Sequence, residues 1–310
     1  MENTQEDMNE ITPRLNSKTG GSAFTVSLVI FLLTSFAVAL IQLAAKLEEG
    51  SDLSVYLSYL ASPIAIAISG VIILKFGKLK LGDVFPVKTK PKYFLIGLLL
   101  IFGLLFSLGW INSVSVEFFK LFGYKPREAK SYFPDLSGGK VVLGLLIIAV
   151  LPAVLEEFLF RGVIFNNIEG SVGSIRSIFI VGFCFSLFHG SPEQTLYQFI
   201  TGCVFAFLAM RSGSILPTVM MHFINNALIV IFEACNLFNE EGNLIISNTA
   251  NIVLTVVSAL SLISGILWLV FDKTELKKCQ KGGVKTFFLY AAPAIGILGL
   301  IWILSLFGVA

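Results

Sequence analysis

The chain carries two histidines, His189 and His222, and each stands four residues from a second notable side chain, Phe185 before His189 and Asn226 after His222. Four residues is about one helical turn, so each pair shares a face if its segment is helical. A third segment, Leu151-Pro152-Ala153-Val154-Leu155-Glu156-Glu157-Phe158-Leu159-Phe160-Arg161-Gly162, places two adjacent carboxylates and a guanidinium in an apolar run. Charged side chains at the centre of a membrane helix cost about 2.5 to 3.5 kcal/mol each on insertion scales, so they persist where they pair, face a cavity or do chemistry. Glu157 and Arg161 are four apart with the acid first, the favourable order for a helical ion pair. Glu156 points about 100° away and is left unpaired.

A desolvated carboxylate is a stronger base, and nearby imidazoles keep it ionised enough to take a proton from water, which makes Glu156 the candidate general base. Asn226 is a neutral donor suited to an oxyanion. At about 1.5 Å per residue, Glu156 lies roughly 15 Å from Asn166, His222 roughly 12 Å from Ser214 and His189 roughly 20 Å from Arg176, so all three are expected near mid-membrane. Together they form a constellation for adding water to a carbonyl. The plainer readings are a neutral, hydrogen-bonded Glu156 and histidines that merely fill core or loop positions. Two intramembrane histidines, each one turn from a partner, weigh against these. Pro152, one turn before Glu156, removes the backbone bond to Ile148 and predicts a kink. Glu233, seven residues after Asn226, reads as an interfacial carboxylate.

The elements that must position these residues follow from composition. Of 310 residues, 55% are apolar and 14% charged, and the mean hydropathy is +0.86, outside the range of soluble domains. About nine stretches suffice to cross roughly 30 Å of hydrocarbon. Runs such as Tyr93 to Trp110 are apolar on every side, which excludes a β-barrel. The expected fold is all-α, a polytopic transmembrane helical bundle of about eight to nine spans. The stretches are 23–45, 53–74, 93–119, 141–166, 175–190, 194–211, 214–236, 249–271 and 285–308.

Lysines concentrate between the second and third stretches (Lys75, Lys78, Lys80, Lys88, Lys90, Lys92) and before the last (Lys273, Lys277, Lys278, Lys281, Lys285), so both loops are expected in the cytoplasm. Alternate loops carry Glu48, Glu49 and Asp52, then Glu193, then Glu240 and Glu241, although the segment from Glu117 to Lys140 is net basic. Residues 1–21 read as a disordered cytoplasmic tail with no cleavable signal, and 22–310 as a single transmembrane domain with its chemical core at about 140–235. The last one or two spans read as peripheral. Cys184, Cys203, Cys235 and Cys279 form no CxxC pair and read as apolar filler. In Arg211-Ser212-Gly213-Ser214, Gly213 is expected to stop one helix and Ser214 to cap the next, with Pro217 tolerated in its first turn.

Glu156-Glu157 with Arg161 resembles an E-E-x-x-x-R motif, Phe185 with His189 an F-x-x-x-H motif, and His222 with Asn226 an H-x-x-x-N motif. In this order, with the Arg211–Pro217 turn before the third, they are similar to the CPBP family of CAAX proteases and bacteriocin-processing enzymes. The resemblance covers about 140–235 and implies an intramembrane endopeptidase related to the type II CAAX prenyl endopeptidase. It further implies that Glu156 activates water with help from His189, that His222 and Asn226 bind the oxyanion, and that Glu157, Arg161 and Phe185 support the site. Zinc held by Glu156, His189 and His222 and a metal-free Glu/His mechanism are both consistent with these residues, the second slightly favoured.

The implied partners are a membrane-associated peptide or protein substrate and the lipid bilayer. A formal charge of +2 gives no indication of nucleic acid. Two other classes are weighed: a noncatalytic immunity or scaffold protein of the same fold, against which the full motif set argues, and a transporter or proton relay, against which the absence of repeat halves argues.

Overall fold

A computed structural model of the chain describes residues 16–126, 133–239, 244–272 and 276–308. All nine expected stretches are helical, and the described residues contain no strand beyond an isolated bridge between Phe238 and Leu244. The elements are α1 (Ser17–Ala44), α2 (Asp52–Gly77), a short α3 (Leu81–Val84), α4 (Lys92–Ser107), α5 (Trp110–Lys120), α6 (Lys140–Val172), α7 (Ser174–Phe188), α8 (Thr195–Ser212), α9 (Leu216–Ala234), α10 (Asn248–Phe271) and α11 (Gly283–Leu306). Among the described residues seven helical segments are long and apolar enough to cross a membrane, with α4 and α5 counted as one. Of the nine expected stretches the remaining two are α7, of 15 residues, and α8, of 18. The protein is a multi-pass membrane protein, and large apolar side chains such as Leu33, Phe36, Val71 and Leu289 face outward.

Several boundaries differ from expectation for identifiable reasons. α1 begins at Ser17, inside the stretch read as tail, because Asn16 accepts the Thr19 amide at 2.9 Å. Gly20 and Gly21 there are contact surface: a Cβ at Gly20 would stand 2.5 Å from Ile168, and one at Gly21 2.5 Å from the Phe287 carbonyl. The rest of the expected tail, residues 1–15, lies outside the described residues, as do Arg127, Lys130, Glu240, Glu241 and Lys273. α11, read as peripheral, places Phe287, Ala291, Ala294 and Leu298 in the main core. α8 stops at Gly213, whose φ of +63° glycine tolerates, and Ser214 Oγ accepts the Leu216 amide at 3.2 Å to open α9.

The lysine-rich loops meet at one end of the bundle. Ile215 donates its amide to the Pro86 carbonyl (3.0 Å) and Thr89 its hydroxyl to that of Ser212 (3.1 Å), while Ser174 donates to Lys277 (3.1 Å) and Gln280 to Ser171 (2.8 Å). At the opposite end Lys140 bonds Asp135 at 2.6 Å and Asp52 at 3.2 Å. The Lys140 hydrogen bond holds Asp135 down to about 2, so this tie persists at neutral pH and loosens only in strong acid.

Two buried clusters flank α8. One gathers α1, α2, the second half of α6, α7 and α11; the other gathers α4, α9 and α10. α8 gives Ala206 and Met210 to the first and Phe205 and Leu208 to the second, so the boundary between the clusters runs along this helix. α10 seats on α4 through reciprocal glycines. A Cβ at Gly103 would fall 2.8 Å from Leu262 Cα, and one at Gly265 would fall 2.9 Å from Leu100. Gly103→Val is therefore expected to destabilise the bundle by about 1 to 3 kcal/mol, seen as a lower thermal unfolding midpoint in detergent. An unchanged midpoint would mean that α4 and α10 do not pack through this face.

Candidate active site

α6 brings Glu156, Glu157 and Arg161 to the boundary between the clusters. Glu157 Oε1 accepts Arg161 Nη1 at 2.7 Å and His222 Nδ1 at 3.0 Å, and the Glu157 and Arg161 side chains are fully enclosed. Arg161 Nη2 donates to the Gly202 carbonyl at 3.1 Å. That carbonyl is within reach because α7 and α8 nearly touch: a Cβ at Gly202 would stand 2.8 Å from Gly182 Cα. Gly202 was not singled out by the sequence; its signal is a glycine in each of two consecutive apolar helices. Arg161 also lines a cavity of about 260 Å³ with Asn166, Glu169, Ser214 and Lys277.

The hydrogen bonds assign both imidazole tautomers. A carboxylate only accepts, so His222 carries a proton on Nδ1, and its neutral form presents a lone pair at Nε2. That Nε2 lies 4.0 Å from Glu156 Oε2, an atom with no hydrogen-bond partner among the described residues. His189 Nδ1 donates to the Phe185 carbonyl at 2.8 Å, one turn back, and its Nε2 is likewise the lone-pair side. The Phe185 ring lies 4.6 Å from the His189 ring and 6.2 Å from the His222 ring, so one aromatic side chain packs against both imidazoles. Glu157 and His222 are hydrogen-bonded, Glu156 stands 4.0 Å from His222, and His189 shares the Phe185 ring with His222.

The donor chemistry suits zinc, but among the described residues no three His, Cys, Asp or Glu side chains come together at metal-binding distance. The placement of Glu156, His189 and His222 does not fit a shared ion, and we derive no step through one.

Asn226 has a partner that its motif does not disclose. Its amide donates to the Ile148 carbonyl at 3.1 Å, the group Pro152 leaves without its helical partner. Asn225 donates to Asn226 Oδ1 at 3.0 Å and fixes the amide's direction, so one Asn226 N–H remains. Around Pro152, α6 widens into π-helical turns over Leu145–Val150 and again over Phe158–Phe165, a distortion common at functional sites. Glu233 sits in the last turn of α9, and all four cysteines are free.

The heights expected from helix ends change. α6 continues to Val172, which puts Glu156 about 24 Å from its end, whereas His222 is about 9 Å into α9. The side chains still meet, because residues 166–172 extend past the start of α9 to where Ser171 and Glu169 bind the segment after α10.

A fold of membrane-spanning helices with a buried carboxylate, guanidinium and imidazole cluster defines a membrane protein with a polar site among its helices. Residues 138–228, which hold every one of these groups, match the type II CAAX prenyl endopeptidase Rce1-like family. The chain is also 23% identical over 223 residues to the membrane-embedded CAAX protease MroQ of Staphylococcus aureus (strain USA300), covering 69% of this chain and 90% of that protein. No solved structure matches. The resemblance to the CPBP family read from the motifs is thereby borne out.

Two substitutions test the cluster's energetics. Arg161→Met strands the enclosed Glu157 and is expected to cost about 3 to 5 kcal/mol of stability, with the double variant Glu157→Gln/Arg161→Met recovering much of it. Asn226→Ala leaves the Ile148 carbonyl unsatisfied, at about 1 to 3 kcal/mol. Adding Pro152→Ala, which restores an amide donor, should return most of that loss in denaturant unfolding. A purely additive pair would show that Asn226 does not serve this carbonyl.

Proposed function

We propose that the chain is an intramembrane endopeptidase that hydrolyses a peptide bond in a membrane-associated or lipidated, CAAX-type substrate. The observation that carries this reading is the ordered series Arg161–Glu157–His222, which ends with a lone-pair nitrogen 4.0 Å from the unpartnered Glu156 carboxylate. Support comes from the Rce1-like match over these residues and from the protease named for the relative. The catalytic unit is the whole helical domain from the start of α1 at Ser17 onward, since α1 and α11 pack against the helices that hold the site.

In this reading Glu156 removes a proton from water as the oxygen bonds to the scissile carbonyl carbon. His189 Nε2 accepts the water's other hydrogen and orients it. His222 is held by Glu157 as the aspartate of a serine protease holds its histidine, and it relays the proton from Glu156 to the leaving nitrogen as the C–N bond breaks. The tautomer assignment motivates this step, because a neutral His222 protonated at Nδ1 offers Nε2 as an acceptor and not as an oxyanion donor. The oxyanion then falls to the N–H of Asn226 that Ile148 does not use.

The test is cleavage of fluorogenic membrane-anchored peptides, farnesylated and unmodified, by purified protein in detergent. Glu156→Ala, His189→Ala and His222→Ala are each expected to lose at least about a hundredfold in kcat/KM, within the range typical of general acid–base groups. A chelator arm reads any metal dependence separately. Wild-type cleavage by Glu156→Ala would refute the mechanism, and a wild type that binds but cuts no peptide would favour the noncatalytic scaffold.

A further inference from the structure

Phe205 belongs to none of the three motifs, yet it touches two members of the buried cluster. It is 1% exposed, and its ring centroid lies 5.1 Å from Arg161 Cζ and 6.1 Å from the His222 ring, edge-on at 73°. Phe185 repeats both contacts from α7, at 4.5 Å from Arg161 Cζ and 6.2 Å from the His222 ring, at 81°. Each phenylalanine therefore meets the two donors that share Glu157 Oε1. A guanidinium over an aromatic face is attracted by the ring quadrupole, more so where water is absent, and an imidazole meeting a ring edge-on is a favoured aromatic geometry.

Phe205 also stands one turn from Gly202, whose carbonyl accepts Arg161 Nη2. α8 thus supplies a hydrogen-bond acceptor and an aromatic ring to one cation. His222 has a single polar tether, at Nδ1, about which the imidazole is free to tilt. Stiff rings that contact it limit the tilt and keep Nε2 aimed at Glu156, 4.0 Å away.

We infer that Phe205 is a positioning residue: with Phe185 it clamps Arg161 and His222 about Glu157 and sets the direction of His222 Nε2. The inference rests on the endopeptidase reading only for its catalytic consequence. The clamp itself is measurable without substrate, because a protein with two histidines gives a ring-nitrogen NMR spectrum with two imidazole systems.

The experiment compares wild type, Phe205→Leu, Phe205→Tyr and the control Phe287→Leu, which empties an equally buried site between α1 and α11. Histidine-15N spectra and peptide kinetics are recorded for each. Phe205→Leu is expected to move or broaden the His222 ring signals and leave those of His189 in place, and to lower kcat roughly ten- to hundredfold at similar KM, the scale of a small misplacement. Phe205→Tyr keeps the ring and should restore the His222 signals. Wild-type His222 signals in Phe205→Leu overturn the clamp, whatever the kinetics. Moved His222 signals in Phe205→Leu alone, together with a wild type that cuts no peptide, uphold the clamp and sink the peptidase reading.

Discussion

The arrangement of this bundle depends on one enclosed oxygen, Glu157 Oε1, which accepts from Arg161 and His222 together. Removing a carboxylate and a guanidinium from water costs several kcal/mol per ion, and their attraction offsets this only where geometry is good and the remaining donors are met. The site meets part of this need from different helices: Gly202 of α8 takes the second guanidinium nitrogen and rings from α7 and α8 cover its faces, while Arg161 Nε has no hydrogen-bond partner among the described residues. Helices that carry apolar surface on every side have no hydrophobic reason to prefer one neighbour in lipid. Here a buried charge supplies the preference, and close packing at Gly182 and Gly202 makes the approach feasible.

The same cluster separates two chemically identical neighbours. Glu157, turned into the bundle, is enclosed and engages both Arg161 and His222 through Oε1. Glu156, one residue earlier and about 100° around the helix, faces His222 across 4.0 Å with an oxygen that has no partner among the described residues. In the proposed hydrolysis the two have different tasks, Glu157 orienting an imidazole and Glu156 accepting a proton. The helix itself is distorted at this place. Pro152 frees the Ile148 carbonyl and Asn226 recovers it, so a residue expected to stabilise an oxyanion also holds α6 to α9.

The helices that carry the second motif and the Gly202 carbonyl, α7 and α8, are the two expected spans outside the set long and apolar enough to cross alone. α7 packs into the first cluster and α8 into both, with Cys184, Phe185, Phe205 and Leu208 nearly inaccessible. A helix whose neighbours are protein has no need of a continuous lipid-facing surface, which leaves room for Ser186, Gln198 and Thr201 and for a helix end at His189 among its neighbours.

By itself the sequence determined that the chain spans a membrane as helices, because a mean hydropathy of +0.86 and long uniform apolar runs permit little else. It also disclosed the three motifs and the Glu157–Arg161 pair, since a charge in an apolar helix is conspicuous and a spacing of four is local geometry. Tertiary structure alone decided what lies more than a few turns apart in sequence. Phe205 reads as one phenylalanine among 29 until α8 brings it against Arg161 and His222. Asn226 shows its bond to Ile148, and Gly20 its contact with Ile168, only once α6 has packed. Which imidazole nitrogen carries the proton was likewise invisible in sequence, because tautomers are set by the acceptor that the fold supplies.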